Sequence, residues 1–238
     1  AFVRWQESRG LYVVGADGSG ERLLYSAPQL RMPAWSPDGS QIVFSVQKGG
    51  RPERQFCWGP WCFTLPEDLY WRLAAADAAS GAFRDLPSDL HSTGASWSPD
   101  GQWLVYAGDG GLQGQLLASG QQQMLLAGQR LAAPAWSPDG QQTVYQAFVH
   151  DHWEIFVRPA WGGPVTPLTP ISALEGASYQ SLSPAWSPDG QWIAFASDCG
   201  GAWGLYLVQP DGSGLRPLDV GLPLQYNAQT QRAIAWGP

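Results

Sequence analysis

The chain has 238 residues, 44% of them apolar and only 14% charged, which is enough for a hydrophobic core and leaves a surface wetted mainly by neutral amides and hydroxyls. A formal net charge of −7, a single lysine (Lys48) and the lack of any basic run or basic aromatic groove exclude a nucleic-acid backbone as partner. No apolar run reaches the roughly 18 residues of a spanning helix, so membrane association is expected only through a partner or through an anchor removed ahead of Ala1.

The chain opens on Phe2-Val3-Arg4-Trp5, the pattern of a unit's second strand, followed by a third strand at Leu11-Tyr12-Val13-Val14. A polar hairpin, Asp17-Gly18-Ser19-Gly20, then leads to a short outer strand near Leu23-Leu24. At Trp35 to Gly39 the string W-S-P-D-G appears, and it returns at Trp97 to Gly101, Trp136 to Gly140 and Trp186 to Gly190, with a worn copy at Ala235-Trp236-Gly237-Pro238. Successive tryptophans are 62, 39, 50 and 50 residues apart, a period of four-stranded propeller blades.

In the copy at Trp97, Ala95-Ser96-Trp97 reads as a strand and the alternating Gln102-Trp103-Leu104-Val105-Tyr106 as the next. Between them Pro99 presets φ, Ser98 or Asp100 accepts backbone N–H bonds, and Gly101 supplies the left-handed residue of a type I turn with a bulge. Asp38, Asp100, Asp139 and Asp189 are therefore read as turn formers, and the repeated tryptophans as packing between blades. Third strands follow at Leu69-Tyr70-Trp71-Arg72, Trp153-Glu154-Ile155-Phe156-Val157 and Leu205-Tyr206-Leu207-Val208. The hairpin string recurs at Asp211-Gly212-Ser213-Gly214, ahead of an outer strand at Arg216-Pro217-Leu218.

Two hairpins per unit predict an all-β, five-bladed propeller of four-stranded antiparallel blades. The first blade lacks an inner strand, and Ala233-Ile234-Ala235-Trp236 is expected to supply it and close the ring. A single domain over residues 1–238 follows, with closure of 1–32 by 233–238, blades from about 33, 95, 134 and 184, and an insertion loop at 47–68.

Repeated P-A-W-S-P-D-G followed by an alternating strand resembles the TolB-like propeller repeat, and the resemblance covers nearly the whole chain. It implies an antiparallel propeller and extracytoplasmic residence: periplasmic, cell-surface or secreted. The chain departs from the peptidase branch of that family in having no hydrolase domain and no G-x-S-x-G nucleophile elbow. From TolB it departs in lacking the extra N-terminal domain and in having five blades where TolB has six.

The first spacing is the longest because of residues 47–68, between second and third strands, and loops that interrupt a repeat usually carry function. Arg51, Arg54, Phe56, Trp58, Trp61 and Phe63 are the expected partner contacts there, since aromatics and arginine dominate binding hot spots. The alternative is that these aromatics fold back and cap the blade. Cys57 and Cys62, across Gly59-Pro60, read as a local disulfide and hence an oxidising compartment, with two reduced thiols as the alternative. Cys199 is left as a small buried or half-buried thiol.

Two further connections, 175–182 with Tyr179 and 222–232 with Tyr226, should share the rim of that loop and line a shallow mouth together with His91. His150-Asp151-His152 suggests a metal site, but two histidines two apart point to different sides, and an exposed hairpin tip is the better account. No paired inner-strand carboxylates suit a glycosidase. The expectation is therefore a chain that is not an enzyme, with no cofactor and no metal, acting as a protein-binding scaffold or accessory subunit of an envelope or surface assembly. A glycan is the alternative ligand, with Trp58, Trp61, Trp153, Trp161 and Trp203 as candidate stackers.

Overall fold

In the computed structural model, residues 1–4, 9–169, 179–221 and 234 are described, and all their regular structure is β-strand. The first sheet comprises β1 (Phe2–Arg4), β2 (Gly10–Val13) and β3 (Arg22–Ser26). The second comprises β4 (Leu30–Trp35), β5 (Gln41–Arg51), β8 (Asp68–Asp77) and β9 (Phe83–Asp85), with β6 (Arg54–Trp58) and β7 (Trp61–Leu65) forming a separate hairpin between β5 and β8. The third holds β10 (Thr93–Trp97), β11 (Trp103–Gly108), β12 (Gly111–Leu116) and β13 (Gln122–Ala127). The fourth holds β14 (Leu131–Trp136), β15 (Gln142–Val149), β16 (His152–Pro159) and β17 (Thr166–Pro167), and the fifth β18 (Ser181–Trp186), β19 (Ile193–Ser197), β20 (Gly204–Val208) and β21 (Arg216–Leu218).

Within each sheet the strands are antiparallel neighbours in chain order, so every sheet is a meander. Consecutive sheets pack face to face. Ile42, Phe44 and Val46 of β5 pack with Leu11, Val13 and Leu24 of the first sheet, whereas Val43 between them packs with Trp97, Leu104 and Tyr106 of the third. A strand buried on both faces needs apolar residues at both parities, and this is why the second strands read as unbroken apolar runs. The fourth and fifth sheets meet likewise through Val144, Ile155, Trp186, Ile193 and Phe195.

The W-S-P-D-G turns are alike in all four copies. Asp100 Oδ1 accepts from Ser98 Oγ at 2.5 Å and from Gln102 N at 3.0 Å, while Ser98 Oγ accepts from Trp103 N at 2.9 Å. Gly39, Gly101, Gly140 and Gly190 take φ of 69–71°, the left-handed conformation that glycine adopts without strain. The preceding tryptophan ties sheet to sheet: Trp97 Nε1 donates to Ala34 O at 3.1 Å and Trp186 Nε1 to Ala135 O at 3.2 Å. Trp136 Nε1 is buried without a partner, and here the preceding sheet has Ser96 in place of alanine, its Oγ accepting from Trp136 N.

Packing between sheets holds for Trp97, Trp136 and Trp186, which are 9%, 6% and 7% exposed, but Trp35 is 42% exposed. Each buried tryptophan rests on the inner strand of the preceding sheet, and the first sheet has no such strand among the described residues. Ring closure, Trp236, and the 222–232 connection with Tyr226 lie outside the described residues.

Each complete inner strand also carries a bulge three residues before its tryptophan. Met32, Gly94, Ala133 and Ser183 all have positive φ (48–67°), and the pairing register slips at each. A Cβ on Gly94 would lie 3.2 Å from Met32 Sδ and 3.6 Å from Ala133 backbone, so the bulges of three sheets meet.

Candidate interaction arm and adjoining rim

β5 and β8 have 11 and 10 residues, longer than any other strand, and carry their pairing past the edge of the second sheet. A bulge between Gln47 and Gly50 turns the extension. Gly50 has φ 156°, and a Cβ there would come within 2.7 Å of Asp68 O, so the close approach requires glycine. Pairing stops at Arg51 opposite Asp68 and resumes at Arg54 opposite Leu65. The gap holds Pro52-Glu53 on one strand and Pro66-Glu67 on the other. Proline has no N–H for the ladder, so two prolines at one level interrupt it from both sides.

Beyond this joint, β6 and β7 pair principally with each other and form a free-standing arm. Gly59, at φ 59°, starts its two-residue tip. The disulfide Cys57–Cys62 crosses the ladder where the two Cα atoms are 4.0 Å apart. Because side chains alternate along a strand, Arg54, Phe56 and Trp58 share one face with Trp61, Phe63 and Leu65. Gln55, the two cysteines and Thr64 occupy the other. The aromatic face is in water: Trp58 is 79% exposed, Trp61 72%, Phe63 60% and Phe56 58%. The alternative in which these aromatics fold back on the blade is not what the structure shows. Arg51 and Arg54 enter none of the ion pairs among the described residues.

At the root of the arm lies His91, in the connection from β9 to β10. Its backbone is held on β8, with Trp71 N donating to Leu90 O at 2.6 Å and Ser92 N to Trp71 O at 2.8 Å. Its ring bridges two carboxylates: Nε2 is 3.0 Å from Asp68 Oδ1 and Nδ1 is 2.7 Å from Asp109 Oδ1, in the turn between β11 and β12. Nearby on the same rim, the Arg31 guanidinium lies 3.3 Å above the Trp71 ring, and burial lowers its pKa to about 10.

His150 is an exposed hairpin tip as expected, but His152 is buried. The turn redirects its ring inward between Asp151 Oδ1 and Glu154 Oε1, each at 2.8 Å. Burial lowers the His152 pKa and these carboxylates more than offset it, so the net shift is upward. Tyr179 is half-buried ahead of β18, and its neighbour Gln180 links the last two sheets by accepting from Trp153 N at 3.1 Å and donating to Asp198 Oδ1 at 2.7 Å. Tyr179 stands on the connection into the fifth sheet, whereas the arm springs from the second. Cys199, expected to be at least half-buried, is exposed, because it falls in the turn after β19 rather than in a strand. Among the other candidate stackers, Trp161 is exposed but already packs edge-on against Trp103, with ring centroids 4.8 Å apart.

No family model and no curated protein matches the chain. Solved structures do. A protein from Agrobacterium tumefaciens described as TolB aligns at TM-score 0.56 and 18% identity over 83% of each chain. The fold is a β-propeller, shared with that protein. The structure of a nidogen/laminin complex aligns with the propeller at TM-score 0.62 and 8% identity, over 90% of this chain and 71% of that one. Oligogalacturonate lyase from Vibrio parahaemolyticus aligns at TM-score 0.57 and 13% identity, over 88% of this chain and 58% of the lyase.

The last likeness corrects the expectation that the chain is not an enzyme. A lyase is built on this propeller fold, so lacking a hydrolase domain and a nucleophile elbow does not remove a propeller from the enzymes. These identities show a shared fold and no catalytic site.

Proposed function

We propose that this chain is an extracytoplasmic five-bladed propeller that docks a protein partner through the β6–β7 arm, as a scaffold or accessory subunit of an envelope or surface assembly. The observation that carries the reading is the single exposed face of Phe56, Phe63, Trp58 and Trp61 on a disulfide-bonded hairpin. Four large aromatics held in water on a rigid support are what interface hot spots are made of, and the disulfide lowers the ordering cost of docking. Free arginines at positions 51 and 54 add directional contacts at the foot of the same element. The disulfide supports an oxidising compartment, and the TolB-like likeness supports the envelope assignment.

The test is purification of the native protein with its partner, beside the double variant Trp58→Ala/Trp61→Ala. Loss of the co-purifying protein, with at least a 30-fold drop in affinity of the reconstituted pair, is expected from removal of two central aromatics, on the order of 2 kcal/mol or more. Undiminished binding by the double variant refutes the reading. Glycan-array binding that survives deletion of residues 47–68 would place the ligand elsewhere on the propeller.

A further inference from the structure

The proline joint adjoins the His91 bridge at Asp68, two residues after Pro66, and together they describe a hinge with a fastening. Asp68 is the first residue of β8 after Pro66-Glu67, so whatever holds its side chain holds the near side of the joint. His91 holds it to Asp109, which belongs to the neighbouring sheet.

A neutral imidazole has one donor and one acceptor, while the imidazolium has two donors. With carboxylate oxygens 2.7 and 3.0 Å from its two nitrogens, His91 satisfies both only in the charged form. In the neutral form one ring nitrogen would turn its lone pair on a carboxylate, and that contact is lost.

We propose that protonation of His91 latches the arm: the imidazolium ties Asp68, at the root, to Asp109 of the third sheet, and the neutral ring lets the root go. The proposal rests on the reading of the arm as the docking element and supplies its regulation. With the latch closed the aromatic face is held in one direction relative to the rim; with it open, the arm turns at Pro52 and Pro66. Docking is then tighter at the acidic end, where orientation is already set.

Among the described residues the cation that faces this cluster is Arg51, opposite Asp68 across the β5–β8 ladder, and it enters no ion pair. β8 contributes Asp68 and the ring of Tyr70, edge-on at 5.8 Å between centroids; the β11–β12 turn contributes Asp109; the connection carrying His91 contributes Asp89. Other cations along these elements are engaged elsewhere: Arg72 on Ser88 O at 2.8 Å, Arg31 on the Trp71 ring, and Lys48 on Asp85 at 2.6 Å. Burial lowers the His91 pKa, and the hydrogen bonds and charges of Asp109 and Asp68 more than offset it, leaving a net rise. A raised histidine pKa means that both bonds stand below the ordinary value of about 6.5, and that the bridge is broken, by loss of one of them, as the pH climbs through the raised one.

The chain has three histidines, so ring signals of ¹³C-labelled full-length protein are few, and His91→Gln assigns the relevant one. Hydrogen exchange over residues 49–70, corrected for intrinsic rates, would be followed between about pH 5.5 and about pH 8.5, a range that brackets histidine titration. In the wild type, protection of 66–70 should fall about fivefold, the upper reach of an exposed charge-assisted pair, with a midpoint matching the His91 ring. His91→Gln and Asp109→Asn should each abolish the step, with the His152 signals unchanged as the check on folding. Equal protection at both pH values in the wild type, or a step that survives in either variant, overturns the latch. The readout is the arm itself, so a failed search for a protein partner would sink the docking reading and leave the latch standing. A flat pH response with partner binding lost in Trp58→Ala/Trp61→Ala would do the reverse.

Discussion

Trp35 and Trp97 hold the same position in successive repeats, yet Trp35 is 42% exposed and Trp97 9%. Trp97 also donates its indole N–H to Ala34 O, and nothing among the described residues plays that part for Trp35. Replacing Trp97 by alanine removes a fully packed indole, opens a cavity between sheets and orphans a carbonyl, a loss of about 4 kcal/mol. Replacing Trp35 removes roughly two-thirds as much buried surface, from a site that water enters without leaving a void, so about 2 kcal/mol is expected. Equilibrium urea denaturation measures both, read as shifts in midpoint at constant slope. Equal losses would mean that Trp35 is covered in solution as its counterparts are, and the reasoning from its exposure would fail. Trp136 adds an internal control. Its buried N–H has no partner, so Trp136→Phe should cost at least about 1 kcal/mol less than Trp186→Phe, which gives up a hydrogen bond.

Glycines separate by what surrounds them. Gly111→Ala would set a Cβ 2.0 Å from Leu126 O and should cost more than about 3 kcal/mol, whereas Gly39→Ala meets nothing within 4 Å and should cost only the conformational penalty of about 1 kcal/mol; thermal melts rank the two. Cys57→Ser/Cys62→Ser should leave global stability within about 0.5 kcal/mol, because the arm buries no core, while raising hydrogen exchange in residues 54–65; a large drop in melting temperature would show that the arm packs on the propeller. Ser36 and Ser40 hold the Asp38 pKa down to about 2, and Asp100, Asp139 and Asp189 are lowered by the corresponding serine. Depressed carboxylates stabilise above their unfolded pKa, so stability should decline as the pH falls from about 4 towards 2, and Asp38→Asn should blunt that decline in acid titrations followed by circular dichroism.

Much of the propeller was legible because its signals are local. Pro at one turn position, glycine at another and serine or aspartate beside them specify a backbone path whatever surrounds them, and four repetitions make it unmistakable. The third sheet was the least legible. β12 and β13 are built from Gly111-Leu112-Gln113-Gly114 and Gln122-Gln123-Met124, residues of low strand propensity that are strands because neighbouring strands pair with them. The arm shows the same division: its cysteines and Gly-Pro tip announce a hairpin, whereas a 22-residue interruption read as a loop becomes continuous ladder with one proline joint.

Residue order alone determined the sheet-forming repeat, the turn chemistry and the place where the repeat is broken, because each depends on contacts a few residues apart; it offered Cys57 and Cys62 as a disulfide or as two thiols, and the structure has the disulfide. Tertiary structure decided that the aromatics of the arm face water, that Trp35 differs from its counterparts, and that His91 meets Asp68 and Asp109 from 23 and 18 residues away. Those outcomes depend on how one sheet seats against the next, and that packing brings together side chains whose separation along the chain carries no sign of it.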